Sequence, residues 1–219
     1  MENVFIDSLQ ATVDRDWNTI KQGEFWKLVM GKTVTKALYY DLMMEIYHYT
    51  KHNSRNQAAT SIVEAPDALL RFVYQHAAEE LGHERMVIHD LESIELLKKD
   101  DLQRKPLPAT EALIGYLYFV AFKYGAAARL GYSFWAENVY DQIGEALAKI
   151  RKDLSLADKN MTFFVAHAKI DEKHADQVAD CINRFATTPA EQAMVQQVAR
   201  TTIFLTGQLL EQVAALHLK

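Results

Sequence analysis

A single cysteine, Cys181, occurs among 219 residues. That excludes an internal disulfide framework, a zinc finger and a cysteine-ligated iron–sulfur cluster. Chain breakers are scarce, with 8 glycines and 4 prolines, and long stretches carry neither. Period-two alternation is hard to find. Neither sign of charge dominates: 24 Lys and Arg against 29 Asp and Glu leave a net charge of −5, which offers no electrostatic footprint for nucleic acid or an anionic membrane. The longest apolar run, Ala112 to Phe122, falls short of the roughly 20 residues that span a bilayer. The first ten residues, MENVFIDSLQ, lack the basic start and apolar stretch of a signal peptide, so the expected location is the cytoplasm.

What is present is 49% hydrophobic and 24% charged, the mix of a globular chain with a core to bury. Apolar residues recur at helical spacing. The expectation is an all-α bundle of about seven helices in one domain over residues 1–219. Its helices run from Val4 to Lys21, Glu24 to Val29, Thr35 to Thr60, Pro66 to Lys99, Thr110 to Ile150 with a bend near Gly125 or Gly131, then to Phe185, and last to His217. Ser155 with Asp158 resembles a capping box for the helix ending at Phe185. Thr188, Pro189 and Glu191 form a better one for the last helix.

Two segments carry the same polar pattern. HAAEELGH holds His76, Glu80 and His83, and HAKIDEKH holds His167, Asp171 and His174. Both are spaced i, i+4, i+7, which on a helix falls within an arc of roughly 60°. Each therefore presents a His–carboxylate–His stripe, and imidazole with carboxylate suits iron, manganese or zinc. Glu137 is a third element. Between Ala112 and Tyr140 the only charged residues are Lys123, Arg129 and Glu137, and an unpaired buried carboxylate is costly, so this acid calls for a partner such as a metal ion. Glu45 and His48 are a fourth. In order, Glu45, Glu80/His83, Glu137 and Asp171/His174 follow the ligand grammar of helical-bundle di-iron carboxylate sites. The apolar, aromatic segment from Tyr116 to Phe134 is expected to roof the cavity where these groups meet.

These motifs resemble the heme-oxygenase-like di-iron oxidases, a superfamily that shares the helical fold of heme oxygenase, TenA thiaminases and PqqC. Glu80-x-x-His83, the single Glu137 and His167-x-x-x-Asp171-x-x-His174 match its three elements, over about 100 residues from His76 to Val178. The resemblance implies a metal ligand set of Glu80, His83, Glu137, His167, Asp171 and His174 and two Fe per chain. It further implies O₂ activation and an iron-dependent oxidoreductase acting on a small organic metabolite. It leaves a homodimer open. Some relatives take the first carboxylate one turn earlier, where this chain has His76, so His76 becomes an extra ligand or a pocket group. The resemblance gives Glu45 no ligand role, and Glu45 and His48 are then expected to face the pocket.

Two other classes compete. One is a cofactor-free TenA- or PqqC-like enzyme, in which the acids and histidines shuttle protons; TenA chemistry would want a cysteine nucleophile, and Cys181 lies a turn or more beyond the motif. The other is a non-enzymatic metal-binding helical protein. Heme oxygenase itself would need an axial histidine on the first helix, and residues 1–30 contain none.

Overall fold

The computed structural model describes residues 4–218, apart from the side chains of 169–173. Among the described residues there are ten α-helices and no strand. They are α1 (Val4–Ile20), α2 (Glu24–Gly31), α3 (Lys36–Ala59), α4 (Asp67–Glu79), α5 (Glu84–Ser93), α6 (Pro108–Lys123), α7 (Gly125–Ala136), α8 (Tyr140–Asp153), α9 (Thr162–Phe185) and α10 (Pro189–Ala215). The all-α expectation holds. The count exceeds seven because two of the expected helices are interrupted. The segment expected to run unbroken from Pro66 to Lys99 stops after Glu79 and restarts at Glu84. Gly82 there takes φ +96°, a left-handed conformation that ends a helical ladder. The segment from Thr110 to Ile150 breaks at Gly125, with φ +78°, and again between Ala136 and Tyr140.

The core is organised around α3 and α10. α10 packs on α7, α6 and α1, and α3 packs on α4, α5 and α6. Gly131 sets the spacing of α7 and α10, since a Cβ at that position would lie 2.1 Å from the Val195 carbonyl oxygen. Beside it, the Trp135 indole donates to Thr202 Oγ1 at 2.8 Å. None of the helices among the described residues is long and apolar enough to cross a membrane.

The start of α9 corrects one expectation. Ser155 lies in a turn at φ +55°, and no capping box forms there with Asp158. The orphan amides that open α9 are satisfied from a distance. Asp90 of α5 accepts from Thr162 N at 2.7 Å, Thr162 Oγ1 at 2.6 Å and Phe163 N at 2.9 Å. A carboxylate suits the positive end of a helix, and Asp90 is fully buried. The cap of α10 is the expected one: Thr188 Oγ1 accepts from Glu191 N, while the Glu191 carboxylate accepts from Thr188 N.

Candidate metal centre

Four helix segments bring the polar groups together. Glu80 sits at the C-cap of α4 and His83 at the N-cap of α5, so these two motif residues straddle the break at Gly82 and do not lie on one unbroken stripe. Glu137 occupies the C-cap of α7. Both carboxylates are thus carried where a helix ends. His167 and His174 lie on α9, two turns apart. Asp171 falls between them on α9, and its side chain lies outside the described residues.

The side chains form two donor groups that share Glu80. One comprises Glu80, His83 and His167; the other comprises Glu80, His76 and His174; within each, the potential ligand atoms lie within 4.8 Å of one another. In the first group, His83 Nδ1 lies 3.4 Å from Glu80 Oε1 but makes no hydrogen bond, and it is buried. His167 Nδ1 donates to the Phe163 carbonyl at 2.7 Å. That bond fixes the tautomer, leaves Nε2 with its lone pair, and is the outer anchoring typical of metal-binding histidines. The His83 and His167 rings meet edge to face with centroids 4.7 Å apart.

The second group is already hydrogen-bonded. His76 Nε2 lies 3.2 Å from both His174 Nδ1 and Glu137 Oε1. His174 Nδ1 lies 3.3 Å from Glu137 Oε2. The outer nitrogens are also held, His76 Nδ1 by the Gln57 amide and His174 Nε2 by Glu79 at 2.8 Å.

The electrostatics follow this geometry. Burial pushes the Glu80 carboxyl upward, but the neighbouring His83, His167 and His76 outweigh it and hold the acid at about 2. Glu137 is likewise lowered: burial opposes ionisation, and His174 and His76 overcome it. Glu137 raises His174, against burial and with help from Glu79, to about 9. Glu80 raises His83. Burial lowers His167, which therefore favours the neutral, ligating form.

A buried support lies behind Glu80. Asn53 donates to Glu80 Oε2 at 2.8 Å and accepts from Arg129 at 2.7 Å. Arg129 also donates to Asn56 and Ser133. Burial pushes its guanidinium down to about 10, so it stays cationic at neutral pH beside the two carboxylates. Sequence reasoning gave Arg129, Asn53 and Asn56 no role. The signal was present for Arg129, which is as isolated in its apolar segment as Glu137.

Glu80, Glu137 and His167 project into a cavity of about 160 Å³. Its remaining wall is mostly apolar and comes from α1, α2, α3, α6, α7, α8, α9 and α10, with Trp17, Phe25, Trp26, Ile143 and Leu209 prominent. This corrects the expected roof. From the segment Tyr116 to Phe134 only Tyr132 reaches the cavity, because α6 turns its inner side to α3 and α10. Glu45 and His48 do not line the cavity either. The buried Glu45 carboxylate accepts from the Leu107 amide at 3.0 Å and so holds the chain entering α6. His48 packs beside Tyr47, and burial pushes it down to about 4. His76 does not line the cavity, and its Nε2 lies 3.2 Å from Glu137 Oε1. Cys181 is buried outside the cavity, and burial raises its thiol to about 11, so it is not poised as a nucleophile.

The family model of iron-containing redox enzymes matches residues 41–207. Among solved structures, the chain is similar to a domain of unknown function with a heme oxygenase-like fold from Shewanella denitrificans. Identity is 40%, with 96% of this chain and 92% of that one covered and a TM-score of 0.92. It also resembles TenA homologues from Pyrococcus furiosus (15% identity, 96% and 99% covered, TM-score 0.75) and Pyrococcus horikoshii (14% identity, 96% and 98% covered, TM-score 0.75). At that identity the last two show the fold alone. No curated protein matches the chain.

Proposed function

The chain belongs to the family of iron-containing redox enzymes and has the heme oxygenase-like fold, and from that premise we propose that it is a di-iron, O₂-activating oxidase or oxygenase. The observation that carries this reading is the pair of donor groups sharing Glu80. One carboxylate between two sets of histidines is the arrangement a dinuclear centre needs. The donors also fit iron in kind, being imidazole nitrogens and carboxylate oxygens with no thiolate. The buried His83 Nδ1, facing a carboxylate without a hydrogen bond, is a ligand atom in want of a partner.

Glu80, His83 and His167 would hold one ion, and Glu80, His76, Glu137 and His174 the other, with Asp171 assigned to the set by its place in the motif. Iron held there supplies the electrons that reduce O₂. The chain's own residues do the rest. Arg129 and Asn53 fix the Glu80 carboxylate in place. Glu79 and Glu137 hold a proton on His174 at neutral pH, ready to leave when that nitrogen is needed. The apolar wall of Trp17, Phe25 and Trp26 excludes water and selects a small organic substrate with an apolar body. Such a molecule would lie with its reacting carbon near Glu80, Glu137 and His167, the polar groups of the cavity.

The test is anaerobic Fe(II) titration, with iron counted by mass spectrometry and then O₂ uptake followed. Two irons per chain and iron-dependent O₂ consumption are expected. A protein that binds no iron would overturn the reading, and one that converts a substrate without metal would be a cofactor-free enzyme on the same fold.

A further inference from the structure

α6 is apolar on nearly every side, a pattern that marks a helix buried all round, yet one face of it is open. Phe119 and Phe122 are 50% and 53% exposed, and Ala112 and Gly115 on the same face are exposed too. At about 100° per residue, these four positions fall within roughly 80° of arc. Glu111 and Lys123, both exposed, flank the stripe at its two ends. The chain itself gives Gly115 no task. A Cβ there would meet nothing within 4 Å, and glycine weakens a helix interior.

We infer that this face joins two copies of the chain, α6 against α6, antiparallel across a two-fold axis. The pattern is symmetric about position 117. Gly115 and Phe119 lie two residues either side of it, Ala112 and Phe122 five, and Glu111 and Lys123 six. An antiparallel pair centred there brings each Phe119 level with the partner's Gly115 and each Phe122 level with the partner's Ala112. A large side chain therefore meets a small one at every step. Glu111 comes level with the partner's Lys123, within reach of two long side chains of opposite charge. A parallel pair would instead crowd four phenylalanines at one end, leave a gap at the other and set like charges together. Self-complementarity of this kind is what an isologous two-fold contact requires, and an unrelated partner would have no reason to match it.

Sedimentation velocity over a concentration series tests this, with the full chain and melting curves to confirm folding. The wild type is expected to be a dimer. Gly115→Leu enters open space within one chain but fills the notch, and should weaken dimerisation by roughly tenfold or more. Glu111→Lys should weaken it as well, and adding Lys123→Glu to the same chain should restore it. Three results would overturn the inference. One is a monomer at every concentration, whether free or co-sedimenting with zwitterionic lipid vesicles. The second is a dimer that Gly115→Leu leaves intact. The third is a double charge swap no tighter than Glu111→Lys alone.

Discussion

The two halves of the polar cluster use the same chemistry but engage it differently. In the half around His76, His174 and Glu137, both nitrogens of each histidine already have protein partners. In the half around His83 and His167, His83 Nδ1 faces the Glu80 carboxylate without a hydrogen bond, one lone pair is left over on His167, and His167 lines the cavity. The first half is a closed hydrogen-bonded network that can hold its shape without a metal. The second keeps donor atoms available for a metal. The open half is therefore where iron should bind first at neutral pH and where O₂ and substrate should meet it.

Glu80 belongs to both halves, so its loss should have the largest effect. Glu80→Ala is expected to bring iron down from two per chain to near none and to lower O₂ consumption by at least about 100-fold, more than outer-sphere changes produce. The fold should persist, because Arg129 keeps Asn56 and Ser133 as acceptors. Iron stoichiometry beside a circular dichroism spectrum checks this. A variant that still binds two irons would mean that Glu80 merely anchors Asn53.

Changing one histidine at a time should separate the halves. His167→Ala is expected to remove the first-binding iron and most O₂ uptake. His76→Ala should spare that iron and lower the affinity for the second by about 10- to 100-fold. Stepwise Fe(II) titration of each variant distinguishes the two isotherms. If both variants lose both irons together, the halves are one cooperative site and the comparison fails.

How much of this was legible in the sequence depends on the kind of signal. Helical periodicity and the scarcity of Gly and Pro sufficed for an all-α fold, and the chain carries a readable cap at Thr188. The breaks were harder. Gly82 sits inside a motif that reads well as a helical stripe, and only its φ of +96° shows that the helix ends there. The two His–carboxylate–His motifs stood out by spacing, and Glu137 by its isolation among apolar residues. The groups that hold them did not. Asp90 is one acid among 29 acidic residues, and its role depends on α5 passing the start of α9, a contact across 72 residues. Glu45 misled because an acid on a polar helix turn looks the same whether it meets a ligand or a backbone amide, as it does at Leu107.

Proton competition gives a finer contrast. With His174 raised to about 9 by Glu137, against burial and aided by Glu79, a metal must displace a proton to bind there at neutral pH. Affinity at the closed half should climb by about tenfold per pH unit toward pH 9 and then level off. In the metal-free protein the sign is opposite. A histidine whose folded pKa is raised stabilises the fold fully below its ordinary value of 6.5, and that contribution is lost as pH rises through about 9. Calorimetric melting of the metal-free protein should therefore show Tm falling between pH 6.5 and 9, while the second iron binds more tightly over the same range. A flat profile in both would mean that His174 is neutral at pH 7.

The smallest expected effect is the most selective. α9 carries a histidine of each half, His167 just over one turn from its start and His174 two turns further on. Asp90 holds that start with three hydrogen bonds, and the same first turn supplies the Phe163 carbonyl that orients His167. Asp90→Ala orphans one buried and one part-buried amide and should cost about 2–3 kcal/mol of stability. The disturbance should fade along the helix, because His174 is tied independently to α4 through His76 and Glu79. The first iron is thus expected to bind a few-fold more weakly, with the second unchanged. Stepwise Fe(II) titration beside urea unfolding measures both. Equal weakening of the two irons would show that α9 moves as one rigid rod, and that the openness of one half comes from the position of the whole helix and not from its first turn.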